Sequence, residues 1–491
     1  MKRLSMVDVL YENWETIIGL EIHVQLNTKS KMFGGEPYQF GSEPNTDIGV
    51  VCTGQPGTLP TLNKEAVRKA VQFGCAVNAN ISLFSRFDRK SYFYPDNPKN
   101  FQITQFDHPI VVGGAIAAEV GTETKHFKIN RAHLEEDAGM LKHFTQFTGV
   151  DYNRAGVPLL EIVSEPCMYS PKDAVAYAMA IKAIMEYLDA SDCNMEEGSL
   201  RMDANISVRL KGEKGLRNKI EIKNMNSFSH MEAALESEIR RQVQFYSKHP
   251  HEQIEKGTYR FDPEKNEVIL MRIKEAAEDY RYFPEPDLPP VVLTEAFVQE
   301  IRKSLPELPR DRYQRYIGLL ELPIQPATLL INDKKLSDYF EEALRHSSNG
   351  KAVANWLTVE FPGRLKDLGK NLWNLGISSQ HIAELVNLID NGTITGKIAK
   401  SVADDMVAKP GTSPEAIVKA NPDYQPLQNT GEIESLVDKV IAENAAAVAD
   451  YKAGKNAERL FGFFVGQVMK LSRGKASPAI LNELLIKKLS K

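Results

Sequence analysis

The sequence is poor in the features by which many enzymes announce themselves. It has four cysteines, Cys52, Cys75, Cys167 and Cys193, far apart and without a C-x-x-C pair. Neither a disulfide framework nor a zinc knuckle can be built from them. No apolar run approaches the ~18 residues of a membrane span, and the opening stretch MKRLSMVDVLYENWE lacks an apolar segment followed by a small-residue cleavage site. The expectation is therefore a cytoplasmic chain with no membrane contact. G-x-x-x-x-G-K-[ST] is absent, as is G-x-G-x-x-G after a strand, so an ATP site here is neither a P-loop nor a Rossmann crevice. There is no G-x-S-x-G elbow, no cysteine in a nucleophile signature, and no H-E-x-x-H among the ten histidines. A covalent nucleophile is not in evidence.

What the chain does have is length and a charge split. At 491 residues it exceeds a single core, and two to four domains are expected. The net charge of −5 divides unevenly: Tyr451 to Lys491 carries nine Lys or Arg against two Glu, hence +7, leaving −12 for the rest. A basic tail on an acidic body suits a polyanionic partner, although a solvated helix face would look the same.

Residues 15 to about 300 show short alternating runs punctuated by turn signals such as GQPG, YPDNP, KGEKG and PEPDLPP. This is an antiparallel β pattern with inserted helices. One helix is expected to start at Ser170–Pro171 and to carry Ile181, Ile184, Met185 and Leu188. Another is expected at Ser229, with Glu232 completing a capping box before Leu235, Ile239, Val243 and Tyr246. Beyond residue 300 the period becomes helical, MVAKPGTSPEA (406–416) is the best linker candidate, and Ser477–Pro478 should start a last helix with Leu481, Leu484, Leu485 and Leu489. The fold class is thus α+β.

The polar faces of the strands are unusual. In IIGLEIHVQL, Ile18, Leu20, Ile22, Val24 and Leu26 share one face, while Glu21 and His23 lie on the other. Alternation in KHFKINRAHLEEDAG groups Phe127, Ile129, Arg131 and His133 ahead of the acidic triplet Glu135, Glu136 and Asp137. Glu161 interrupts the apolar run GVPLLEIVSEP, and Asp203 and Glu221 sit on the polar faces of RMDANISVRL and NKIEIKNMNS. Acids converging on one wall of a sheet repel one another unless cations sit among them. Hard oxygens with one imidazole suit Mg²⁺ or Mn²⁺. Arg209, Lys219 and Lys223 on the same faces equally allow a lattice of ion pairs. In FSRFDRKSYFYPDNPKNFQ, Arg86, Arg89, Lys90 and Lys99 are interleaved with Phe87, Tyr92, Phe93 and Tyr94. Such a loop suits a nucleotide or a phosphate chain, and Arg89, Lys90 and Lys99 are the candidate contacts; an aromatic hairpin with solvated charges is the alternative.

The runs IGLEIHVQL, FGSEPNTDIG, FDRKSYFYPDNPK, RAHLEEDAG, DYNRAGVPLLEIVSEP, MEEGSLRMDANISVR, EIKNMNSF and DYRYFPEPDLPP, in this order, closely resemble the B-subunit family of bacterial aspartyl/glutamyl-tRNA amidotransferases. The likeness extends from about residue 14 to the C-terminus, through GKIAK and GFFVGQVMK. It implies a β-rich catalytic cradle over residues 1–302, a helical domain over 303–410 and a YqeY-like tRNA-binding tail over 411–491. It also implies a heterotrimer that converts Glu-tRNA(Gln), Asp-tRNA(Asn) or both to the amidated forms. In that complex the B chain phosphorylates the tRNA-linked carboxylate with ATP, the A chain supplies ammonia from glutamine, and the small C chain braces the pair.

Carried over to matching positions, the resemblance makes Glu21, His23 and Glu136 the centre of a Mg²⁺ site. Glu161, Asp203 and Glu221 line the same pocket, and Lys90 and Lys99 lie near the phosphates. Alternation by itself does not choose Glu136 over Glu135. Many members of the family also hold zinc through Cys-x-Cys and Cys-x-x-Cys early in the cradle. The corresponding stretches here, MFGGEP and GVVCTG, keep only Cys52, so no zinc is expected.

Overall fold

A computed structural model describes residues 12–273, 280–424, 427, 429–453, 456–472 and 474–490. Residues 1–11, the first part of MKRLSMVDVLYENWE, lie outside the described residues, as do Lys455, Arg473 and Lys491 of the basic tail. The chain divides into two compact units between Arg312 and Tyr313.

In the first unit the described residues form a ten-stranded sheet. Its strands are β1 (Trp14–Gln25), β2 (Asn80–Ile81), β3 (Val111–Val112), β4 (Ala115–Val120), β5 (Glu123–Glu136), β6 (Pro158–Ser164), β7 (Leu200–Leu210), β8 (Ile220–Lys223), β9 (Gly257–Asp262) and β10 (Glu267–Ile273). They are ordered β10-β9-β8-β7-β1-β6-β5-β3-β2, with β4 also paired to β5. All pairs are antiparallel except β8 with β9. β1 therefore lies in the middle, between β6 and β7.

The alternation in β1 explains why it is held there. Ile18, Leu20, Ile22 and Val24 are buried in the main core. Burying each such side chain contributes about 1.5–3 kcal/mol, and a one-residue slip would put Glu21 and His23 into that core instead. The apolar face thus fixes the register that presents the acids. Its cover includes α1 (Lys64–Ala76), capped by Asn63, α2 (Pro171–Tyr187) and α3 (Phe228–Lys248).

α2 starts where the sequence places it: Pro171 is the first helical residue, and the Ser170 side chain accepts from Asp173 N–H. α3 does not. Its cap is Ser227, whose Oγ accepts from His230 N–H at 3.0 Å, while the Ser229 hydroxyl only meets that of Ser227. The helix thus starts two residues before the expected Ser229 cap, and with His230 three residues after Ser227 it has no capping box. Ser227→Ala should lower stability by about 1 kcal/mol, with Ser229→Ala near neutral; equal losses for both in urea titrations would contradict this assignment.

β5 also departs from simple alternation. Its pairing with β6 shifts register between Val163, opposite Arg131, and Ser164, opposite Ile129, leaving Asn130 as a bulge. The extra residue changes the phase of the strand. Phe127 and Ile129 join Ala132 and Leu134 in the core, whereas Arg131, His133 and Glu135 share the other face. The expected grouping of Phe127 and Ile129 with Arg131 and His133 is corrected accordingly.

A three-stranded sheet of Asp88–Ser91, Phe101–Thr104 and Phe283–Pro284 carries the basic and aromatic loop. The helix Glu295–Lys303 buries Val298 and Ile301 in the same core as β1. The β-rich unit thus runs past residue 302.

The second unit is helical and has two cores. One includes Tyr316, Phe340, Trp356, Phe361, Val386 and Met406, together with Ile417 and Val418. The other gathers Ile433, Val437, Phe464, Val468, Leu481, Leu485 and Leu489. The stretch 406–416 therefore does not separate cores, because Met406 before its turn and Ile417 after it pack together; the change falls between Val418 and Ile433. The last helix, Pro478–Leu489, follows Ser477 as expected. No described helix is long and apolar enough to cross a membrane.

Candidate active site

The sheet register brings side chains from five strands onto one polar face. Opposite Glu21 on β1 stand Val163 of β6 and Asp203 of β7; opposite His23 stand Glu161 and Arg201. Glu161 in turn faces His133 on β5, and Asn205 of β7 faces Glu221 on β8. The rows converge into two clusters.

The first cluster is His23, Glu161 and Glu135, whose potential ligand atoms lie within 4.8 Å of one another. His23 Nε2 is 3.2 Å from Glu161 Oε2 and 3.8 Å from Glu135 Oε1. Burial pulls the His23 imidazole down, but the charge of Glu161 and the hydrogen bond that Glu161 accepts from the ring, with Glu135 and Asp203 nearby, raise its pKa to about 9. Glu135 moves the opposite way for a carboxylate: burial and then the charge of Glu161 push it up to about 7 against the pull of His23 and Lys90. Glu161 stays below the usual carboxylate range. Burial opposes that shift, but the charges of His133 and His23, the His23 hydrogen bond and Lys90 outweigh it. Thr104 Oγ1 donates to Glu135 at 3.3 Å.

The second cluster is Glu21, Asp203 and Glu221. Asn205 Nδ2 donates to Glu21 at 2.9 Å, and Thr258 Oγ1 donates to Glu221 at 2.9 Å. Lys223 Nζ lies 2.5 Å from Asp203 and 3.5 Å from Glu221. Burial, then the charges of Glu161, Glu221 and Asp203, push the Glu21 carboxyl above its ordinary range, only partly offset by His23. Three carboxylates thus meet beside Lys223, and their like charges oppose one another's ionisation. Hard oxygen donors in that state fit a divalent cation such as Mg²⁺.

The remaining candidates fall differently. Glu136 belongs to neither cluster. Its carboxylate pairs with Lys99 Nζ and accepts from Ile103 N–H at 3.0 Å. Neighbours in a strand point to opposite faces, which gives Glu135 the place expected for Glu136. Arg89 also lies off the wall: it grips Glu285 with two bonds, 2.7 and 2.9 Å, reaches Asp287 at 3.1 Å, and stacks 4.2 Å from the Phe101 ring centroid. Lys90 does face the first cluster. Burial pulls its ammonium down, but Tyr282, Glu135, Glu161 and Tyr280 hold it above its usual value.

His133, Glu135 and the Asp137 clamp are additions to the expected set. Asp137 accepts from Gln25 Nε2 at 2.9 Å and from Arg201 Nη2 at 2.6 Å, with Arg154 Nε at 3.6 Å. The spacing of His133 and Glu135, two apart like Glu21 and His23, was the signal that could have found them. Cys52 Sγ meets Lys31 Nζ at 3.4 Å and Gly49 N at 3.2 Å.

Comparison with known proteins gives this acid-walled sheet a family. Residues 16–299 match the family described as the GatB/GatE catalytic domain, and residues 338–489 match the one described as the GatB domain. The chain belongs to the GatB family. Among curated proteins it is 63% identical over 484 residues to the B subunit of the aspartyl/glutamyl-tRNA(Asn/Gln) amidotransferase of Protochlamydia amoebophila, covering 98% of each chain. It is 54% identical over 489 residues to the protein of that name from Chlamydia pneumoniae, covering 99% of this chain and all of that one. The Chlamydia abortus protein is 57% identical over 490 residues, with 99% of this chain and all of that one covered. GatB proteins are components of tRNA-dependent amidotransferases, which are carbon–nitrogen ligases. The matched catalytic region contains both carboxylate clusters.

Proposed function

We propose that this chain activates the side-chain carboxylate of Glu-tRNA(Gln), Asp-tRNA(Asn) or both with ATP, inside a complex with two further chains, a glutaminase (A) and a small one (C). The observation that carries this reading is the pair of clusters, His23–Glu161–Glu135 and Glu21–Asp203–Glu221, on one face of one sheet. A carboxylate is a poor acylating group because oxide would have to leave. Transfer of the terminal phosphoryl group of ATP to it makes phosphate the leaving group, and ammonia then attacks the acyl carbon and expels phosphate. Such a site needs positioning and charge neutralisation rather than a nucleophile, which agrees with the lack of one in the sequence. The glutaminase chemistry belongs to another chain.

The residues divide the work by position. The two clusters would hold Mg²⁺, which supplies neutralisation of phosphate charge. Lys90, beside the first cluster, would meet a phosphate oxygen, and Lys223 would keep Asp203 and Glu221 in place. The Arg201–Asp137–Gln25 bonds fix the end of β1 beyond His23. Structural zinc at the cysteine positions has no part in this reading. An ion-pair lattice is favoured by the contacts of Lys223, but it leaves Glu21 against like charges. The test is phosphate release from ATP by the assembled complex with ammonia as donor, with and without Glu-tRNA(Gln). Release that requires the aminoacyl-tRNA supports the reading; release indifferent to it refutes it.

Proton linkage gives an independent check. Without a cation, His23 keeps its proton until the pH rises through about 9, and Glu135 until about 7. A cation needs the unprotonated imidazole and carboxylate. Binding at the first cluster should therefore release about one proton between pH 7 and 9 and approach two below pH 7, with affinity rising as the pH rises. Calorimetry in buffers of different ionisation enthalpy measures this directly; a binding heat independent of buffer would contradict it.

The tail makes a separable prediction. The last core begins at Ile433, and the basic excess lies within it. Removing residues from 429 onward should weaken tRNA binding and flatten its salt dependence, while ATP binding by the cradle stays intact. Unchanged tRNA affinity in the truncated complex would remove the tail from tRNA recognition.

A further inference from the structure

Lys31 and Cys52 form a pair that the proposed chemistry does not use. Both are buried, at 1% and 4% exposure, and Lys31 Nζ donates to Cys52 Sγ at 3.4 Å. Among the described residues this is the one hydrogen bond that the ammonium makes, and no carboxylate lies within ion-pair distance of it. An ammonium out of water is costly without an oxygen to meet it. Lys69, also buried, shows the ordinary solution: its Nζ donates to the Asp189 carbonyl at 2.7 Å. Lys31 is turned to a sulfur instead. The fold closes over the contact from two sides. Gly49 N–H donates to Cys52 Sγ at 3.2 Å. Gly156 has a φ of +85°, and a Cβ there would lie 3.0 Å from Cys52 Cβ and 3.3 Å from Lys31 Cδ, so glycine alone lets the chain press the two side chains together.

Cavities flank the pair. One of about 360 Å³ is lined by Lys31 with Ser30, Tyr38 and Glu197. Another, of about 10 Å³, is lined by Cys52 with Tyr92, Lys99 and Glu136, and has room for about one water-sized molecule. A small oxidant therefore has a place against the sulfur. The other thiols are set differently. Burial pushes Cys75 and Cys167 up and Cys193 up to about 12, which suppresses the thiolate that oxidants attack. Among the described residues none of those three meets a lysine ammonium. We infer that Lys31 and Cys52 are a redox-modification site, at which a hydroperoxide joins them through a sulfur–nitrogen bond. With hydrogen peroxide, the thiol sulfur first takes one oxygen and becomes a sulfenic acid, and one water leaves. The Lys31 ammonium gives up a proton, and its nitrogen attacks the sulfur. The S–N bond forms, the S–O bond breaks, and the hydroxyl departs with a second nitrogen proton as another water. In sum, thiol, ammonium and one peroxide give the sulfenamide, two waters and a proton; the sulfur loses two electrons and the peroxide gains them. Two reductant thiols reverse the step, restoring thiol and amine and becoming a disulfide.

Trypsin reads the link directly. No Lys or Arg lies between Lys31 and Lys64, so cleavage after Lys31 releases Met32–Lys64, whereas a linked Lys31 resists cleavage and leaves Ser30–Lys64 closed into a loop. The full-length chain is treated with hydrogen peroxide, its remaining thiols are alkylated, and the digest is weighed by mass spectrometry. Ser30–Lys64 should appear without alkylation at Cys52 and two hydrogens lighter than the open peptide, apart from any oxygen on Met32. Dithiothreitol added before alkylation should restore Met32–Lys64. Unfolding the chain in urea before the peroxide should cut the yield about tenfold or more, because the link depends on the folded contact. Cys167→Ser should leave the link unchanged. Lys31→Arg should remove it and let Cys52 go on to the sulfinic acid. Oxygen on Cys52 beside full cleavage after Lys31, an untouched Cys52 at a peroxide level that oxidises Cys167, or an equal yield from the unfolded chain overturns the inference. The digest of the unsubstituted chain decides the matter even if Lys31→Arg does not fold.

Discussion

Replacing Glu161 by Gln should cut aminoacyl-tRNA-dependent phosphate release by about a thousandfold while leaving the fold close to its original stability. The catalytic part follows from where Glu161 stands. It is the residue that faces an imidazole on each side in the sheet register, His23 on β1 and His133 on β5. It is also the main source of the charge that keeps His23 protonated in the cation-free chain. Glutamine preserves the shape and removes the charge, so the cluster loses a hard anionic donor at its middle. Removal of one preorganised charged or polar group from such a site typically costs ~10²–10³ in rate, and metal affinity falls with it. The stability part follows from the same contacts. With Glu161 neutral, His23 can shed its proton, and no unpaired charge is left buried. A parallel melting curve and phosphate assay would check both halves. Release within about twofold of the original would mean the acid wall is only a solvated sheet face.

How much of this could be read beforehand depends on how local each determinant is. The period of two in a strand is local, so Ile18, Leu20, Ile22 and Val24 declare the core side of β1, and Glu21 and His23 declare the other. The same holds for Asp203 and Glu221, whereas Glu161 is marked only as the one charge in an apolar run, since Leu159 and Val163 share its face. β5 is different because the bulge at Asn130 shifts its phase, and nothing in RAHLEEDAG states that a residue has been added to the ladder. Alternation could not choose between Glu135 and Glu136, and the resemblance that pointed to Glu136 carries no information on the local phase of the strand. The Ser227 cap failed for a related reason: two serines two apart both satisfy the chemistry of a cap, and only the backbone path selects one. The domain break was blurred because the Pro and Gly of KPGTSP mark a turn, whereas the apolar residues on either side of it belong to one core.

The hardest case was Arg89, and it yields the second large effect. Its partner Glu285 lies 196 residues away, so no local pattern could pair them, and an arginine among aromatics looked like a phosphate contact. The Glu285 side chain is fully buried and receives both guanidinium bonds, while the guanidinium lies over Phe101. The pair clamps the strand Phe283–Pro284 onto Asp88–Ser91, where Phe283 stands opposite Arg89. Arg89→Ala strands an ionised carboxylate in the interior and removes the cover from an aromatic ring. Breaking one side of such a pair costs about 3–5 kcal/mol, which for a unit of this size lowers the melting temperature by about 10 °C. Adding Glu285→Gln should recover most of the loss, because the stranded charge rather than the missing contact accounts for much of it. Below both melting temperatures the KM for ATP should stay unchanged. A residue that held phosphate would behave in reverse, raising the KM with little effect on melting. Melting curves of the single and double variants, beside ATP titrations of the assembled complex, decide whether Arg89 belongs to the site or to the frame that carries it.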